Sequence, residues 1–135
     1  MSDLARFHAA QEGAWETALA ELEAGRKRTH WMWFVFPQLR GLGRSDMAWR
    51  YGIDGADEAR AYLADPVLRD RLARGATALL RHADGDLDAI LGTVDALKLR
   101  SSMTLFETVD PDGPWGAVLA AFGGARCSHT QDRLA

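Results

Sequence analysis

Leu4, Phe7, Trp15, Ala18, Leu19 and Leu22 recur at three- and four-residue steps, with Gln11 set among them on the same stripe. This period predicts an amphipathic helix, with Asp3 placed to cap its start, Gly25 to end it, and acidic residues facing water. The pattern then changes. Between Thr29 and Gln38, the residues Trp31 to Phe36 form an unbroken apolar run before Pro37. Its aromatic and β-branched content suits a strand, yet no second run offers a convincing partner. The segment is therefore read as a short buried helix or an extended turn closed by Pro37.

Further on, Gly41-Leu42-Gly43 reads as a loop and Ser45 as the cap of a short helix through Tyr51. Residues 57–64 continue helically, with Ala59, Tyr62 and Leu63 inward. Asp65-Pro66 joins a capping acid to a proline at the first helical position, which predicts a new helix start. Val67, Leu68, Leu72, Ala76, Leu79 and Leu80 then form a stripe ending near His82. Asp84-Gly85-Asp86 is a turn, Leu87 to Leu91 one or two helical turns, and Gly92-Thr93 a break and a cap. A helix is predicted from Thr93 to Thr108, with Val94, Leu97, Leu99, Met103, Leu105 and Phe106 as its apolar positions. Asp110 to Pro114 is a turn, and Trp115 to Phe122 the last clear helix before a short or frayed terminal one. The expected fold is all-α: a single multihelical domain of short, orthogonally packed helices over residues 1–135.

A chain of 135 residues, 47% hydrophobic and 26% charged, fits one compact domain and argues against disorder. No apolar run exceeds that of Trp31 to Phe36, far below the roughly 20 residues of a membrane span. The start of the chain has neither the basic region nor the apolar stretch of a secretory signal. Cys127 stands alone, so an internal disulfide and a four-cysteine zinc site are excluded. These features predict a cytoplasmic protein with no membrane partner and no cofactor. They leave its oligomeric state open.

The net charge of −3 conceals a segregation. Arg26, Lys27, Arg28, Arg40, Arg44 and Arg50 stand against Asp46 alone in residues 26–50, between acidic segments on both sides. Such a concentration of charge points to an anionic partner, unless folding disperses it over several faces. Lysine occurs at positions 27 and 98 only, and both fall in the segments where the chemistry concentrates.

The first of these segments is Arg26-Lys27-Arg28-Thr29-His30-Trp31-Met32-Trp33, with Gln38 a few residues on. Its cations could hold phosphate, His30 could donate to it or act as a general acid or base, and Trp31 or Trp33 could stack on a planar ring. A solvated basic terminus followed by an aromatic core plug would explain the same residues. The second segment is Asp95-Ala96-Leu97-Lys98-Leu99-Arg100-Ser101-Ser102-Met103-Thr104. On a helix it sets two cations and the hydroxyls of Ser101, Ser102 and Thr104 beside the core, a sensible inventory for oxyanion recognition. Here the competing explanation is that Asp95 pairs with Lys98 while the hydroxyls bond back to their own helix.

Other patterns carry less. Gly41-Leu42-Gly43-Arg44-Ser45-Asp46 lacks the third glycine and the βαβ context of a dinucleotide fingerprint. The histidines at 8, 30, 82 and 129 show no metal-ligand spacing, and Cys127 with His129 makes only a weak pair, so no metal site is expected. No nucleophile elbow, P-loop or Cys-His signature is present.

Taken together, Leu4-Ala5-Arg6-Phe7, Gly25 to Gln38, Gly41-Leu42-Gly43 and Arg100-Ser101-Ser102-Met103-Thr104-Leu105-Phe106 resemble a bacterial family, the domain of unknown function "eighteen-ten". The likeness runs from about residue 4 to 134. The family sometimes carries the label calpastatin, but nothing in this chain looks like a calpain-inhibitor repeat. The resemblance implies an all-helical fold and no established activity. It also implies three departures: the family usually has His where this chain has Asp65, Gly where it has Arg69, and Asp near Cys127 or Ser128. The segments Lys27 to Gln38 and Asp95 to Phe106 match the family pattern.

The functional expectation is a pocket for a small anionic, phosphate-bearing ligand such as a nucleotide or an ADP-ribose-like molecule. Arg26, Lys27, His30, Trp31, Trp33, Gln38, Lys98, Arg100, Ser101, Ser102 and Thr104 are its candidate ligand-binding residues. His30 and Asp95 are candidates for catalysis should the protein act on that ligand, which the sequence leaves open. One such pocket requires the two segments to meet within about 15 Å. The alternatives are a non-catalytic protein-interaction domain and a single-stranded nucleic-acid binder. A sequence pI of 5.8 disfavours the last of these.

Overall fold

A computed structural model describes residues 3–135, and in them the chain forms ten helices and no β-strand. The stripe at the start of the chain is divided between α1 (Ala5–Glu12) and α2 (Trp15–Ala24) rather than held on one helix. Gly13, a poor helix former, sits at the break, and the turn there buries Trp15. Among the described residues no side chain caps α1, so Asp3 does not have the expected role; its carbonyl instead accepts from the Arg6 guanidinium. Arg6 also reaches Glu58 Oε1 at 2.8 Å and the Gly52 carbonyl at 2.8 Å, which ties α1 to the middle of the chain. Gly25 ends α2 in the left-handed conformation (φ 76°), which a side chain would strain.

The aromatic run forms a single turn, α3 (Met32–Val35), with Pro37 beyond its end. Leu39 then makes an isolated parallel bridge to Ile53, where the Arg40 amide donates to the Ile53 carbonyl and the Ile53 amide to the Gln38 carbonyl, both at 2.8 Å. Ser45 caps α4 (Asp46–Arg50) by accepting from the Ala48 amide at 3.0 Å. α5 (Ala56–Ala64) runs into Asp65, whose carboxylate accepts from the Val67 and Leu68 amides and starts α6 (Pro66–Leu80) with proline at its first position. α7 (Leu87–Leu91) is capped by Asp86. Gly92, at φ 89°, holds the N-cap position of α8 (Thr93–Val109), so Thr93 is the first helical residue and not the cap. α9 (Trp115–Ala121) and α10 (Ser128–Leu134) complete the order.

α8 is the axis of the structure. It packs on α5, α7, α9 and α10, and all six residues from Ser101 to Phe106 are buried. α6 forms the second long support, against α2, α3, α5 and α9. Aromatic side chains fill the space between them, with Tyr62 and Phe106 rings 5.3 Å apart and Phe106 and Trp115 rings 5.9 Å apart. Ala96, Leu99, Met103 and Phe106 form the core stripe of α8, with Leu105 buried beside it. Val94 and Leu97 lie off that stripe and are 65% and 59% exposed, contrary to their expected place in the core. No described helix is long and apolar enough to cross a membrane.

Candidate functional site

The exposed edge of α8 forms one wall of a cleft of about 690 Å³. Val94, Leu97, Lys98 and Ser101 stand at i, i+3, i+4 and i+7, so they share that edge, and Arg100 lies beside them. The second wall is the loop from Gln38 through Leu42, Gly43, Arg44 and Ser45 to Ala48 of α4. Gly43 lets this loop close onto α4, since a Cβ there would stand 2.6 Å from the Ala48 Cβ. The third wall is Ala125 to His129, the segment that enters α10.

Three contacts fix these walls in place. The Arg133 guanidinium donates to the Arg40 carbonyl at 3.0 Å, joining α10 to the loop. The Cys127 amide donates to Thr104 Oγ1 at 3.0 Å, joining the third wall to α8. Arg126 grips Glu107 with two parallel bonds of 2.6 and 2.7 Å, and this fork holds the Glu107 carboxyl below its ordinary pKa.

Among the described residues, the lining carries the cations Arg44, Lys98, Arg100 and Arg126 and no carboxylate. The acids that offset them stand behind the walls. Glu107 backs Arg126, and Asp95 backs Lys98, whose Nζ is 3.6 Å from Asp95 Oδ1. Arg44 makes no ion pair among the described residues, and Arg100 reaches only the Phe122 carbonyl at 3.5 Å, too long for a strong bond. Hydroxyls of Ser45, Ser101 and Ser128 also line the cleft, with the Cys127 thiol. Burial raises the pKa of that thiol, but the hydroxyls of Ser101 and Thr130 and the amides of Thr130 and His129 bring it below its ordinary value. Ser101 Oγ already donates to the Leu97 carbonyl at 3.2 Å, so the Thr130 hydroxyl, which has no other partner among the described residues, and the two amides are the donors free to stabilise a thiolate.

The two segments singled out in the sequence do meet, at Asp95. Lys27 Nζ lies 3.0 Å from its Oδ2 and Lys98 Nζ 3.6 Å from its Oδ1, so one carboxylate joins the loop after α2 to α8. Of the candidate ligand-binding residues, Gln38, Lys98, Arg100 and Ser101 line the cleft. Lys27 is nine-tenths buried behind it. Arg26 and His30 are exposed outside it. Trp31 is buried in the core and its indole N–H donates to Glu21 Oε1 at 3.0 Å, so it presents no face for stacking. Trp33 is half-buried beneath the Lys98 ammonium, 5.3 Å from its ring centre. Thr104 is buried and donates to the Arg100 carbonyl at 2.7 Å, and Ser102 is buried with no hydrogen-bond partner among the described residues. The hydroxyls of Ser101 and Thr104 thus bond back to their own helix, as the competing explanation held. Asp95 is engaged by two lysines and His30 lies away from the cleft, so neither is set for proton transfer in it.

Sequence reasoning missed Leu42, Arg44, Ser45, Ala48 and the whole third wall. The repeat Val94, Leu97, Ser101 was the available signal, because it marks a second face of α8 beside the core stripe. Among the described residues no three His, Cys, Asp or Glu side chains gather as a metal-ligand set.

The model of a family described as "Protein of unknown function (DUF1810)" matches residues 1–134. The chain is similar over 98% of its length to the conserved hypothetical protein Rv1873 from Mycobacterium tuberculosis, known from a crystal structure. The two are 46% identical and superpose with a TM-score of 0.95, and the match covers 96% of that chain. No functionally curated protein matches the sequence.

Proposed function

This chain belongs to the DUF1810 family of proteins of unknown function, and from that premise we propose that its cleft binds a small anionic, phosphate-bearing molecule. One observation carries the reading: four cations and three hydroxyls surround a cleft of about 690 Å³ whose lining has no carboxylate among the described residues. Such a volume suits a small molecule, and charge-assisted hydrogen bonds to Arg and Lys are the strong ones for phosphate. Arg44 and Arg100 are the cations with the least to give up, since neither is held by an ion pair among the described residues. Lys98 supplies a third charge by turning from Asp95, a long contact at 3.6 Å. Nucleotides and ADP-ribose-like molecules are the first ligands to try.

A thermal-shift series at fixed ionic strength tests this, with inorganic phosphate, AMP, NAD, ADP-ribose and flavin mononucleotide. A ligand at 100 times its Kd stabilises the native state by about 2.7 kcal/mol, a shift of several degrees for a chain of this size. The shift should shrink in Arg100→Gln and Lys98→Gln and persist in His30→Ala, which lies outside the cleft. No shift with any of these anions would end the proposal and favour a protein-interaction domain.

A further inference from the structure

The cleft is not uniformly polar. Leu42, Ala48, Val94 and Leu97 line part of it, and the last two are among the few large apolar side chains the structure leaves exposed. They stand one turn apart on the longest helix, at its N-terminal end, and Lys98, Arg100 and Ser101 follow in the next turn. Along this edge of α8 the wall therefore passes from aliphatic to cationic within about 10 Å. Exposed aliphatic side chains grouped in a concave site mark a surface to be covered by a ligand. No Trp, Tyr or Phe side chain is among the described residues that line the cleft, whose one aromatic ring is the His129 imidazole on the third wall. Trp31 lies in the core and Trp33, half-buried with the Lys98 ammonium over its ring, is not part of the lining, so a planar base would meet no large ring there.

We infer, on the premise that the cleft binds anions, that its ligand is an anionic amphiphile. A phosphate head sits among Arg44, Lys98, Arg100 and Arg126, and an aliphatic chain lies over Leu42, Val94 and Leu97. Each part matches a wall: charge-assisted bonds fix the head, and methylenes removed from water against branched side chains supply chain-length dependence.

Calorimetric titration of the full chain with inorganic, methyl, butyl and octyl phosphate, all below their aggregation concentrations, tests the inference. A buried methylene is worth about 0.8 kcal/mol, roughly fourfold in affinity. Octyl phosphate should therefore bind at least tenfold more tightly than methyl phosphate. Val94→Ser with Leu97→Ser, both exposed positions whose change leaves the core intact, should abolish that difference and preserve binding of methyl phosphate. Lys98→Gln with Arg100→Gln should weaken the whole series, and octanol should bind far less tightly than octyl phosphate.

Equal affinity along the series overturns the amphiphile and leaves the anion cleft standing. So does AMP binding as tightly as octyl phosphate without regard to the serine substitutions. Failure of every phosphate to bind removes the cleft reading itself. Vesicles containing phosphatidic acid separate a soluble ligand from a membrane lipid: sedimentation with vesicles, without any response to monomeric octyl phosphate, overturns the soluble ligand.

Discussion

Lys27 Nζ lies 3.0 Å from Asp95 Oδ2, a bond between the loop after α2 and the first turn of α8 that leaves both side chains largely out of water. Lys98 shares the same carboxylate from the cleft side. One acid thus balances two cations. Lys27 is the more buried of the two, so Lys98 is the one able to turn toward a ligand.

Replacing Asp95 with Asn leaves two ammonium groups facing each other around a neutral amide. Breaking a fully buried pair costs about 3–5 kcal/mol, and partial exposure here reduces the expected loss to about 2 kcal/mol. Urea unfolding at neutral pH measures it. The same change should tighten phosphate binding, because Lys98 no longer has to leave a carboxylate. Unchanged stability would show that the Lys27 contact does not hold the loop.

Glu21 fastens the segment before the aromatic turn. Its Oε1 accepts from the Arg28 amide at 2.6 Å, the Thr29 amide at 3.0 Å and the Trp31 indole at 3.0 Å, and its Oε2 accepts from the Thr29 hydroxyl at 2.7 Å. Burial raises the carboxyl pKa, but these four donors together lower it to about 2. A folded pKa depressed below the unfolded value contributes stability that is complete above the unfolded pKa and disappears as pH falls through the folded one. Glu21 therefore stabilises the protein above about pH 4.5, with the contribution lost between there and about pH 2. Glu21→Ala strands the buried Trp31 N–H at an expected cost of about 1–3 kcal/mol near neutrality. The gap between its stability curve and that of the parent should narrow as the pH nears 2, and parallel curves would refute the assignment.

Much of the fold was legible because its punctuation is local. Ser45, Asp65-Pro66 and Gly25 act within one turn of their own positions, and each performs the predicted role. Asp3 and Thr93 do not cap: Leu4 and Gly92 hold the N-cap positions, and neither makes a side-chain cap bond. The site was harder to read, since three stretches far apart in sequence build it. Lys98, Arg100 and Ser101 were visible as polar groups on an apolar helix. Val94 and Leu97 were legible only as apolar positions offset from the core stripe, because exposed and buried aliphatic residues look alike until the neighbouring helices are in place. The aromatic run misled in the opposite sense, for the density of rings at Trp31 to Phe36 reflects packing, and Trp31 is core.

Asp65 gives a direct test of the capping argument. Its Oδ1 accepts from the Val67 and Leu68 amides at 3.0 and 3.1 Å, and its Oδ2 lies 2.7 Å from His8 Nε2. Asp65→Ala should cost about 1–2 kcal/mol, whereas Asp65→Asn, which keeps a capping oxygen, should lose only the part due to His8. Burial raises the Asp65 pKa, but the Leu68 and Val67 amides and His8 lower it overall. The difference between parent and Asp65→Ala should therefore be complete above the ordinary aspartate range and shrink as acid is added. Thermal denaturation of the three proteins across pH 3–7 measures both effects.

Cys127 reports on the field inside the cleft. It is the single cysteine of the chain, so alkylation adds one mass increment at one known place. Its lowered pKa keeps part of the thiol ionised at a lower pH than usual, and Lys98, Arg100 and Arg126 line the same cleft. An anionic reagent should be drawn in where a neutral one is not. The rate of modification by iodoacetate, divided by that by iodoacetamide, should fall severalfold on going from low salt to about 1 M, where the screening length drops to about 3 Å. It should fall in the same way in Lys98→Gln with Arg126→Gln at low salt. Mass spectrometry over a time course measures both rates on one sample. A ratio indifferent to salt and to these substitutions would mean that the four cations, offset by Asp95 and Glu107 behind them, present no net field to an anion, and the case for an anionic ligand would lose its electrostatic basis.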